Sequence, residues 1–138
     1  MDDDPLAGVR ADLTATSNQI SSQVRTIVLG VLAFVWLFLS GAKDIPAEIV
    51  CAMPKSQLIV VAILCILSLL ADWIQYFLGY RCSLKVLKEF DPARPVSAEY
   101  DTSTLIYRAR GWSFWAKQAF AAAAVAWMLI LLARGFTA

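Results

Sequence analysis

The sequence predicts an all-α integral membrane protein with three transmembrane helices. Three observations predict it. Hydrophobic residues make up 59% of the 138-residue chain and mean hydropathy is +0.63, above the apolar share of an ordinary soluble domain. The excess lies in three runs, each near the roughly 20 residues that cross about 30 Å of hydrocarbon. Within each run the apolar residues cover every helix face, whereas a helix on the surface of a soluble protein keeps one face polar. The whole chain reads as a single membrane domain.

Residues 5–25 form the first element, an amphipathic helix on the cytoplasmic side. Asp2-Asp3-Asp4-Pro5 starts it: aspartate caps free backbone N–H groups, and proline is tolerated at the first helical position. Leu6, Val9, Leu13, Ile20, Val24 and Ile27 recur at heptad-like steps, with Thr16 in the missing place. The polar face has Thr, Ser, Asn and Gln, with Arg10 as its only cation before Arg25. A helix lying on a bilayer is usually richer in Lys and Arg. The stripe of Leu6, Val9, Leu13, Ile20 and Val24 is therefore expected to serve assembly or docking against protein.

The first span is 26–42, without a charge. Ser40-Gly41-Ala42 looks like a cleavage site, but a 25-residue leader beginning with aspartates is unlike a signal peptide, so an uncleaved anchor is expected. Residues 58–80 form the second span, broken only by Asp72, and 112–133 the third, broken only by Lys117. Between them, 81–111 holds a cytoplasmic loop and helical extensions of both spans. Asp91-Pro92 and Arg94-Pro95 end the first extension, because a residue before proline avoids the helical region. Thr102-Ser103 starts the second, which continues through Gly111. The outer loop, 43–56, is short and carries Pro46 and Pro54.

Lys and Arg set the orientation. Arg10, Arg25, Arg81, Lys85, Lys88, Arg94, Arg108 and Arg110 fall on one side, and Lys43, Lys55 and Arg134 on the other. The excess places the N-terminus and the long loop in the cytoplasm and the C-terminus outside, in a cell (inner) membrane crossed several times. Trp73, Tyr76, Tyr80, Trp112 and Trp115 gather toward that cytoplasmic surface.

Asp72 is the most informative residue, since a carboxylate in a span is costly and faces a partner or water. Cys65, Ser68, Asp72, Gln75 and Gly79 form one narrow stripe that should point away from lipid. Lys117 enters from the same side and is its natural partner, with Gln118 adjacent. Two uses are open for Ser68, Asp72, Gln75, Lys117 and Gln118: a pair that holds helices together, or a polar stripe along an ion pathway. Gly30 and Ala33 on the first span, and Ala119, Ala122, Ala123 and Ala126 on the third, offer small faces for close helix contact in lipid. Gly30, Ala122 and Ala126 are expected to assist assembly into a homo-oligomer. Arg108 and Arg110 are expected to meet anionic headgroups of the bilayer.

Several classes are disfavoured. There is no histidine, no paired-carboxylate motif and no glycine-rich phosphate loop, so no enzyme, metal or cofactor is expected. Net charge is +1, which argues against nucleic acid. Cys51, Cys65 and Cys82 fit no zinc or redox spacing and lie at different depths, so they should be free thiols. A helix leading into a few spans resembles, in architecture alone, small bacterial membrane effectors of defence systems, including those with the SLATT domain. No motif carries that likeness, and the third span departs from their two-span plan. The expectation is a non-enzymatic oligomeric effector that forms a pore or disturbs the membrane, gated from the cytoplasm. An accessory or scaffold subunit with a cytoplasmic protein partner is the alternative, and a small proton-coupled transporter is a third.

Overall fold

The computed structural model describes the backbone of residues 7–41, 54–89 and 104–137, and the side chains of 14–41, 54–85 and 104–135. The aspartate cap, Cys51, most of the outer loop, the prolines at 92 and 95 and the start signal at 102–103 lie outside these residues. So do the side chains of Leu6, Val9 and Leu13.

Three helices make up the described chain: α1 (Ala7–Leu39), α2 (Lys55–Glu89) and α3 (Leu105–Thr137). There is no strand among the described residues. The amphipathic segment and the first span are one continuous helix, because no proline falls between residues 7 and 39 and Gly30 alone does not stop a helix with packed neighbours. Ser40 and Gly41 end it. The Gly41 N–H donates to the Phe38 carbonyl at 3.4 Å, and Gly41 takes a φ of +66°, the left-handed conformation glycine adopts past a helix C-terminus. Pro54 stands just before α2, and its carbonyl accepts from Gln57 N at 2.9 Å. α3 runs unbroken through Gly111.

Each helix contains a stretch long and apolar enough to cross a membrane: Thr14–Leu39, Lys55–Lys85 and Leu105–Gly135, with mean hydropathy 1.8, 2.4 and 1.7. A 31-residue helix rises about 47 Å, longer than the hydrocarbon layer, so α2 and α3 have length to spare beyond it.

The helices pack up-down-up, and the most extensive interface joins α2 and α3. Buried positions repeat by threes and fours: Ser21, Val28, Val35 and Phe38 on α1; Leu58, Val61, Cys65, Ser68 and Asp72 on α2; Lys117, Ala121, Ala124, Met128 and Leu131 on α3. This 3.5-residue average is the seam of coiled-coil-like packing. Its halves differ chemically. Val28, Val35, Leu58, Val61, Ala124, Met128 and Leu131 fill one end, while the buried polar side chains fill the other. The outside is apolar: Trp36, Ile63, Ile66, Trp73 and Leu129 are among many large side chains at least half exposed. A monomer in water does not carry so much contiguous apolar surface.

Candidate functional site

The polar end of the bundle is built around Asp72. It reaches the interior because Cys65, Ser68 and Asp72 share the α2 seam with Leu58 and Val61. Its Oδ1 accepts from Lys117 Nζ at 2.8 Å, and its Oδ2 accepts from Arg25 Nη2 at 2.7 Å and Nε at 3.1 Å. One carboxylate thus joins all three helices. Lys117 is fully buried, yet two of its three donors are used, the second on Ser21 Oγ at 2.6 Å. Its ammonium also lies 5.2 Å from the Phe114 ring centroid, an arrangement in which the ring quadrupole attracts a cation. Ser68 Oγ donates to the Lys117 backbone carbonyl at 2.8 Å, so α2 grips α3 at this level by side chain and by backbone.

Arg25 behaves differently from Lys117. Its side chain is 45% exposed, and its guanidinium stands over Tyr76, 5.5 Å from the ring centroid. The guanidinium therefore closes the cluster from outside, while the ammonium is sealed inside it. Two cations and one anion leave the group with an excess of one positive charge.

Among the expected site residues, Ser68, Asp72 and Lys117 come together. Gln75 lies one turn further along the α2 seam, and its Oε1 is buried without a hydrogen-bond partner. Gln118 does not join them. One residue past Lys117 the helix has turned, and Gln118 lines an apolar groove between α1 and α3 with Val24, Ile27, Ala122 and Ala126. Of the α1 stripe, Val24 packs against the core, Ile20 is half-buried and Ile27 is half exposed. Gly30 has open space beside it, and Ala122 and Ala126 are exposed, so these small residues face outward in the single chain. Arg110 tucks toward α2 against Gly79, whereas Arg108 is exposed. Cys65 and Cys82 are free thiols.

Arg25 and Ser21 are the residues that sequence reasoning missed. Arg25 reads as an ordinary charge before a span. The signal that places Ser21 is the seam itself: stepping back from Phe38 by threes and fours through Val35, Val31, Val28 and Val24 arrives at Ser21. No protein-family model, no curated protein and no solved structure matches this chain.

Proposed function

We propose that the chain is a non-enzymatic membrane protein of three spans, inserted with its polar end toward the cytoplasm, that assembles into homo-oligomers and acts by perturbing the bilayer when α1 moves. The observation that carries this reading is the Asp72 cluster. It is a polar bond between α1 and the more extensively packed α2–α3 pair, and it sits where apolar packing gives way to polar side chains. Within one protomer the charges lead nowhere, because the packed apolar half lies directly above them. An ion path along Ser68, Asp72 and Lys117 therefore requires α1 to let go or protomers to rearrange. The outward Gly30, Ala122 and Ala126 support assembly, since helices associate in lipid through small residues that allow close approach.

The test is leakage from vesicles. Arg25→Gln and Ser21→Ala each weaken the hold on α1 while leaving Asp72 and Lys117 paired. Protein carrying both changes, reconstituted at wild-type oligomer mass, should release a trapped dye faster than wild type. Vesicles as tight as with wild type would exclude α1 as the gate. The apolar groove between α1 and α3, about 440 Å³, favours a second reading, an accessory subunit that seats a helix of another protein. That reading expects a complex of mixed composition and no leakage from either form.

A further inference from the structure

Two grooves flank the N-terminal half of α1 at the polar end. One, of about 510 Å³, runs between α1 and α2 past Asn18, Tyr76, Gly79 and Tyr80. The other, of about 250 Å³, runs between α1 and α3 past Tyr107, Phe114 and Trp115. Ser17, Gln75 and Arg110 line both, so the grooves meet at these three side chains.

We propose that this meeting point binds the headgroup of an anionic, hydroxyl-bearing phospholipid, with the phosphodiester on Arg110 and a headgroup hydroxyl donating to Gln75 Oε1. Asp72 is already shared between Arg25 and Lys117. Arg110 has no ion pair among the described residues, and it is held at the groove by lying against Gly79, its Nε 3.6 Å from where a Cβ would stand. A planar guanidinium suits a phosphate by paired hydrogen bonds. Gln75 Oε1 is a buried acceptor with nothing to accept from, and such atoms are rare without a water or ligand to satisfy them. A cation beside an orphaned acceptor calls for a ligand that combines negative charge with an O–H donor. The phosphate ester of a polyol has both.

A soluble phosphate ester shares that chemistry. Lipid is the better occupant because of where the grooves open. Tyr80 and Trp115 form their walls and are 62% and 68% exposed, beside Trp112 at 76%. Large amphipathic rings at the end of apolar spans mark headgroup depth. This inference rests on the membrane-spanning reading above.

Protein reconstituted in phosphatidylcholine nanodiscs containing phosphatidylglycerol would be extracted in detergent and its retained lipid measured by native mass spectrometry. Phosphatidylmethanol serves as the lipid of equal charge without a hydroxyl. Wild type should retain phosphatidylglycerol over phosphatidylmethanol, and Gln75→Leu should erase that preference. Arg110→Gln should lower retention about tenfold, and Arg108→Gln, on the exposed neighbour outside both grooves, less than about twofold. Equal losses in the two arginine variants would reduce the effect to diffuse attraction and overturn the site. So would a wild type indifferent to the hydroxyl, a comparison that stands even where a variant fails to fold. Displacement of the lipid by glycerol 3-phosphate at comparable concentration would overturn the lipid assignment in favour of a soluble ester. Protein that never enters nanodiscs refutes the membrane reading instead, so the two failures are separable.

Discussion

Asp72 accepts from two cations, so the cost of removing it differs from the cost of removing either partner. Asp72→Asn leaves Lys117 as a fully buried ammonium without its countercharge, with only the neutral oxygens of Ser21 and the new amide to accept from it. A stranded buried charge costs about 3–5 kcal/mol. Lys117→Met leaves Asp72 with Arg25 at 2.7 Å and should cost less, about 1–3 kcal/mol. The double variant Asp72→Asn, Lys117→Met should recover much of the single aspartate loss, because Arg25 is exposed enough to turn toward headgroups and water. Reversible unfolding in mixed micelles measures all three. Equal losses for Asp72→Asn and Lys117→Met would show that Arg25 does not hold the carboxylate as described.

Ala122 and Ala124 differ by two residues along α3 and face opposite environments. Ala124 is fully buried against the apolar half of the seam, while Ala122 is exposed beside the α1–α3 groove. Ala124→Leu should overpack the bundle and destabilise the protomer by about 1–3 kcal/mol. Ala122→Leu should leave protomer stability near wild type and lower oligomer mass, read by light scattering in detergent. A fall in protomer stability from Ala122→Leu, with mass unchanged, would mean that this face packs within the chain. The same contrast explains what was legible at this scale. Runs of apolar residues reveal a helix long and apolar enough to cross a membrane, because such a helix is apolar on every face. They conceal which face packs inward, because Ala and Gly suit lipid and helix contact equally. Gly30 and Ala122 therefore read as contact residues, although in the single chain Gly30 has open space beside it and Ala122 is exposed.

At the scale of the molecule, charge made the interior legible where hydropathy did not. Asp72 and Lys117 stand out in apolar runs, and each is costly alone, so their meeting follows from depth and side-chain reach. Arg25 hides among the charges that precede a span, and its bond to Asp72 becomes visible only once α1 is continuous and its seam turns Ser21 inward. The grooves were not legible at all, since they arise from spaces between helices rather than from any run of residues. The claim on which the rest depends is that the chain crosses the bilayer three times with its polar end on the cytoplasmic side. Fusing a reporter active only in the cytoplasm to the N-terminus, near Arg94 and to the C-terminus tests it most directly. Three crossings predict activity at the first two positions and none at the third. Activity at both the N-terminus and the C-terminus would contradict three crossings, and activity at the C-terminus alone would mean the bundle is inserted the other way up.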